Sequence, residues 1–189
     1  MNATGILRNE HAVIKKMLTV SEAICAKLDS GENVEAGHLE RVVEFLRGFA
    51  DTCHHAKEEN LLFAAMAEAG VPVEGGPIGV MLAEHNMARG LVAQMGRAAG
   101  DYEAGDTNAK EIFVEKTRQY AQLLTHHIFK EDNILYPLAD AHLTPDQQTR
   151  LVEDFGHVEH DEVGERGHEH FLEVVSGLEA IYLPDNTIA

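Results

Sequence analysis

The chain repeats one short phrase. His54-His55-Ala56-Lys57-Glu58-Glu59-Asn60-Leu61-Leu62-Phe63 lies over His127-Ile128-Phe129-Lys130-Glu131-Asp132-Asn133-Ile134-Leu135-Tyr136 without a gap. In that alignment His54 matches His127, Lys57 matches Lys130 and Glu58 matches Glu131. Each copy holds a histidine and, one helical turn later, a glutamate on the same face. An imidazole nitrogen and a carboxylate oxygen so placed reach one small volume, and a carboxylate has two oxygens with which to serve two metal ions. His11 and His85 supply two more imidazoles in similar surroundings: Leu7, Ile14 and Leu18 share a helical phase with His11, and Met81, Leu82 and Val92 share one with His85.

The elements that must position these residues follow from the apolar periodicity. A first helix is predicted from about Ile6 to Leu28, stopped near Gly31. A second runs from about Val34 to Ala69, with Leu39, Val42, Val43, Leu46, Phe49, Ala50, Leu61, Leu62 and Ala65 inward. Pro77 opens a third, where its missing N–H costs nothing; Ile78, Met81, Leu82, His85, Val92 and Met95 form its inner face, and it ends near Gly100. A fourth begins between Asp106 and Asn108 and reaches about Ala141, on a stripe of Tyr120, Leu124, His127, Glu131, Ile134 and Leu138. Pro137 should kink or loosen its last turn. Thr144-Pro145-Asp146-Gln147 reads as a capped helix start, and a last amphipathic piece runs from about His168 to Leu183. No segment alternates as a strand would. The expected fold is all-α: an up-down antiparallel four-helix bundle over residues 1–141, with residues 142–189 forming one or two further helices packed on the same domain.

In such a bundle the second and fourth helices lie on a diagonal, so the two His-x-x-x-Glu pairs face each other across the axis. His55 and Glu59 fall about a hundred degrees round from the inner stripe, toward the flank. A glutamate inside an apolar stripe is costly unless it is paired, protonated or metal-bound. Lys57 and Lys130 turn away from Glu58 and Glu131, so a metal is the expected partner. Imidazole and carboxylate together suit iron, manganese or zinc. No cysteine is in register for an iron–sulfur or thiolate site, and calcium would want more oxygens. Two carboxylates able to bridge favour two ions about 3.5–4 Å apart.

Bulk composition narrows the partners. With 32 acidic against 15 basic residues the formal charge is −17, which repels nucleic acid and anionic membranes. No apolar run could span a bilayer, and Met1 to Glu10 carries no export signal, so a cytoplasmic protein is expected. Cys25 and Cys53 read as reduced core thiols.

The set His11, His54-His55-x-x-Glu58-Glu59, His85 and His127-x-x-x-Glu131 resembles the ligand pattern of hemerythrin-like HHE cation-binding domains, and the phrases Lys57 to Phe63 and Glu131 to Pro137 are similar to that family's. The resemblance covers about residues 5–141 and points to its bacterial branch. It implies a non-haem centre of two iron ions, bridged by two carboxylates and a solvent-derived oxygen. By motif, His11 and His54 would bind one iron, His85 and His127 the other, and Glu58 and Glu131 would bridge them. The oxygen carriers of the family have a second histidine one turn after the one on their third helix, where this chain has Arg89, and use an aspartate five residues on where it has Glu131. A fifth nitrogen is thus missing from its usual place. His157, His160, His168 and His170 lie in the C-terminal segment, and His160 and His168 are the first candidates to replace it. Arg89 is placed to pair with Glu59 or Glu84 around the site, and Tyr120 and Tyr136 to line its cavity.

The function implied is binding of dioxygen or a related small molecule, nitric oxide or peroxide, for sensing, detoxification or transport. An iron-handling or iron-responsive interaction protein with exchangeable metal is the alternative, its C-terminal helices offering a surface for a protein partner or a second copy. No nucleophile triad and no phosphate loop is present, and whether the chain is an enzyme stays open.

Overall fold

The computed structural model describes residues 2–163 and 167–184, together with their side chains except those of residues 160–163. Six helices account for most of them. The first, α1 (Ala3–Asp29), is capped by Asn2, whose side chain accepts from the Gly5 amide at 3.1 Å, and is closed at Gly31, where φ is +77°. The second, α2 (residues 36–68), is continuous and alternates between α-helical (Ala36–Phe45, Phe63–Glu68) and π-helical (Leu46–His55, Glu58–Leu62) segments. Next comes α3 (Pro77–Glu103), with Pro77 in its first turn. The fourth, α4 (residues 109–142), is α-helical over Ala109–Lys130 and Tyr136–His142 and π-helical between them, over Glu131–Leu135. Two more follow, α5 (Pro145–Val163) and α6 (Gly167–Tyr182). The expected cap of α5 forms: the Gln147 amide donates to Thr144 Oγ1 at 3.3 Å, and the Thr144 amide to Gln147 Oε1 at 3.0 Å.

Helices α1 to α4 pack in cyclic order, α1 against α2 and α4, and α3 against α2 and α4. This places α2 and α4 on one diagonal, as an up-down bundle requires. Helices α5 and α6 pack on the α1–α2 flank. The apolar core is divided into two parts. One holds Ile14, Phe49, Val92, Met95, Tyr120 and Leu124; the other holds Leu7, Leu62, Met66, Met81, Leu135 and Phe155. His11, with Leu7 of one part before it and Ile14 of the other after it, marks the polar layer between them.

The π-helical turns set the register at that layer. The amides of Ala56, Phe63 and Tyr136 each reach the carbonyl five residues back, those of Asp51, Glu58 and Glu131. A wider turn moves the inward face one residue along the chain. Past Glu131 the buried residues are therefore Leu135, Tyr136 and Ala139, and Ile134, expected inside, is 55% exposed. Past Glu58, Leu62 and Met66 are buried, whereas Leu61 and Ala65 are only half-buried. Pro137 follows one of these wide turns, but the matching turn in α2 contains no proline, so proline alone does not cause them.

Candidate metal site

Two overlapping groups of fully buried donors occupy the layer. His11, His54, Glu58 and Glu131 form one, and His55, Glu58, His85 and His127 the other; within each, one donor atom per residue lies within 4.8 Å of every other. Both carboxylates reach both groups. Glu58 Oε2 is 3.6 Å from His54 Nε2 and 3.4 Å from His85 Nε2. Glu131 turns Oε2 to His11 Nε2 at 3.2 Å and Oε1 to His127 Nε2 at 3.0 Å and His85 Nε2 at 3.8 Å. The Tyr136 hydroxyl donates to Glu58 Oε1 at 2.6 Å and lies 3.2 Å from His11 Nε2.

Each imidazole is held from behind by a carboxylate on its Nδ1: His11 by Asp132 at 2.8 Å, His54 by Glu10 at 2.8 Å, His55 by Asp51 at 3.3 Å, His85 by Glu59 at 2.6 Å and His127 by Glu84 at 2.8 Å. Each of these carboxylates meets a cation in turn. Lys15 is 3.0 Å from Asp132, and Arg89 is 2.7 Å from Asp51 and 2.8 Å from Glu59. Lys57 donates to Glu10 and Lys130 to Glu84. With Nδ1–H given to a carboxylate, the Nε2 lone pair is left facing the layer.

Burial and these partners set the protonation. Burial alone would raise Glu131, but His127, His11 and His85 outweigh it and hold the carboxyl well below the ordinary range. Burial and the neighbouring Glu131 push Glu58 well up. Burial drives His54 down to about 4 against the pull of Glu10, and burial with His85 and His54 drives His55 well below the ordinary imidazole value. Burial would lower Lys57 as well, but Glu10 outweighs it and keeps the ammonium charged.

The arrangement fits a pair of cations. His55 Nε2, Glu58 Oε2 and both oxygens of Glu131 are buried without a hydrogen-bond partner. His85 Nε2 and His127 Nε2 face one another at 3.0 Å, with each Nδ1 taken up by a carboxylate behind its ring. Among the described residues, no lysine or arginine pairs with Glu58 or Glu131. Orphaned acceptors on α2 and α4, set among imidazoles from all four bundle helices, suit a metal centre.

All six residues expected from the repeated phrase and the two further histidines are thus brought together. His55 corrects the expectation: it is 2% exposed and joins the second group, although a regular helix would have turned it to the flank. Sequence reasoning also missed Glu10, Asp51 and Asp132; the repeated phrase marks Asp132, which it aligns with Glu59, and no motif marks the other two. Arg89 pairs with Glu59, as one of its two expected partners, and with Asp51, but not with Glu84. Tyr136 reaches the site, whereas Tyr120 is buried beside a cavity of about 210 Å³ whose wall also includes His55, Asp51, Arg89, Leu46 and Val92. His168 joins neither group and rests with its ring 5.4 Å from that of Phe49. The side chain of His160 lies outside the described residues. Cys25 and Cys53 are buried and unpaired with one another. Among the described residues, no helix is long and apolar enough to cross a membrane.

Uncharacterised proteins of Mycobacterium bovis and of two strains of Mycobacterium tuberculosis are 22% identical to this chain over 173 residues, 92% of its length and 67% of each relative. Residues 2–139, which span α1 to α4 almost in full, match the hemerythrin HHE cation binding domain. The chain therefore belongs to the hemerythrin HHE cation-binding domain family.

Proposed function

We propose that the chain is a non-haem diiron protein that binds dioxygen or a related small molecule such as nitric oxide or peroxide. The observation that carries this reading is that Glu58 and Glu131 each face imidazoles of both donor groups, with their remaining acceptor atoms unpartnered. His11 and His54 hold one ion, His85 and His127 the other, and the two glutamates serve both. His55 is the fifth nitrogen and falls on the His85–His127 side, so the two halves are unequal: three imidazoles against two. Helices α5 and α6 belong to the same domain as an extension of the bundle.

A bound iron pair supplies an exchangeable place for a small ligand and a one-electron change of state at each ion. The chain supplies the rest. Its five Nδ1–carboxylate contacts fix the rings and make each Nε2 a better donor. The Tyr136 hydroxyl fixes Glu58 Oε1 and offers a proton donor beside the half with fewer imidazoles. The apolar core on either side keeps bulk water out, and the cavity at Tyr120 and His55 gives a small molecule a way in.

Anaerobic titration with ferrous iron, followed by the visible spectrum of the azide adduct, tests the reading. Two irons per chain and an azide-dependent band are expected; a stoichiometry far from two overturns it.

A further inference from the structure

Lys57 is fully buried and is the only one of the cations behind the histidines that also meets a residue of α5, the side chains of residues 160–163 being outside the described set. Its ammonium donates to Glu10, which holds His54 Nδ1 through its other oxygen, and to Glu159. It also lies 5.9 Å from the centre of the Phe155 ring, one turn before Glu159 on the same face of α5. Phe155 is itself 1% exposed, in the core part that contains Leu7 and Leu62. By contrast Lys130, the counterpart of Lys57 in the repeated phrase, is about one-third exposed and, among the described residues, pairs with Glu84 alone. Among the described residues, one half of the donor layer is thus wired to α5 and the other is not. Glu159 lies beyond residues 2–139, the part that matches the family.

We infer that Glu159 is a positioning residue for His54, and that docking of α5 and binding of a cation at the His11–His54 half are coupled. The chain of contacts gives the sign. Glu159 shares the Lys57 ammonium with Glu10. Without that share the ammonium draws wholly onto Glu10, which becomes a weaker acceptor for His54 Nδ1–H. His54 Nε2 then loses electron density and holds a cation less well. Coupling is reciprocal, so a cation on His54 must in turn tighten α5 against α1 and α2. A partner that drew α5 away would loosen metal in the same step.

The inference rests on the metal-binding reading but not on the ion being iron, so the test uses cobalt(II), which suits the same imidazole and carboxylate donors. Chelator competition on the full chain should show the weaker cobalt site of Glu159→Gln falling about tenfold in affinity, the low end of what partners behind a ligand are worth. Glu153→Gln, an exposed change on the same helix, should leave it unchanged. Hydrogen exchange of the α5 amides should slow on cobalt loading in the unaltered protein and not in Lys57→Met. Cobalt affinity of Glu159→Gln equal to that of the unaltered protein, or α5 exchange indifferent to cobalt, overturns the coupling while leaving the metal reading intact. A purely structural Glu159 would lower the melting temperature of the metal-free protein without moving either readout. Absence of cobalt and iron binding altogether overturns both readings.

Discussion

The imidazole of His55 lies flat on that of His85, ring centres 3.8 Å apart and planes 15° from parallel. One guanidinium keeps them so, because Arg89 grips Asp51 behind His55 and Glu59 behind His85. If His55 is the fifth nitrogen, its removal should empty the half it serves. His55→Ala is expected to lower bound iron from two per chain toward one, and His168→Ala to leave it at two. Iron analysis after gel filtration decides between them, and an iron content unmoved by His55→Ala would return His55 to a packing role.

Arg89 stands where the oxygen carriers of the family have a second histidine on this helix, and it takes on a different task. It neutralises two carboxylates that would otherwise draw the Nδ1 protons off the rings in front of them. Arg89→Gln should weaken metal binding about 10- to 100-fold, in line with other losses behind a ligand. Arg89→Lys should recover little, since one ammonium cannot reproduce the two-sided grip of a guanidinium. Chelator competition on both variants measures this.

The bundle and the six side chains that it brings together were legible in the sequence because they depend on the ordinary helical period. What lay beyond it was the register after each glutamate. A regular period carries Glu131 on to Ile134 and Leu138, but the π-helical turn Glu131–Leu135 passes the inner face to Leu135 and Ala139. The π-helical stretch Leu46–His55 likewise contains His54 and His55, both of them buried. No residue type announces such a turn. Leu135→Ala should therefore cost about 2–5 kcal/mol in chemical denaturation, and Ile134→Ala less than about 0.5 kcal/mol. The reverse order would restore the regular register.

Cys25 is deep in α1 and its thiol is pushed up to about 12, by burial first and the charge of Glu22 second. Thiolate is the reactive form, so at pH 8 almost none is present in the folded chain. Iodoacetamide should fail to modify Cys25 in the native protein and label it readily in guanidinium. Mass spectrometry of the alkylated peptide reads the result, and prompt native labelling would mean that α1 opens locally.

Glu58 and Glu131 are both fully buried, and neither touches a lysine or arginine among the described residues. Two facing carboxylates without a cation weaken the metal-free fold, because burying unpaired charge is costly. Metal binding repays that cost only in the folded state, since the donors come from four separate helices. Each site filled at about a hundredfold above its Kd should add about 2.7 kcal/mol, or about 5–10 °C in melting temperature for a chain of this length. Glu58→Gln tests the sign from the other side. It removes a buried charge or a forced proton, so the metal-free variant should melt no lower than the unaltered protein, while its response to ferrous iron should largely vanish. Melting curves of both proteins with and without iron measure the four values. A metal-free Glu58→Gln that melts several degrees lower and still responds fully to iron would mean that Glu58 holds the fold together without holding metal.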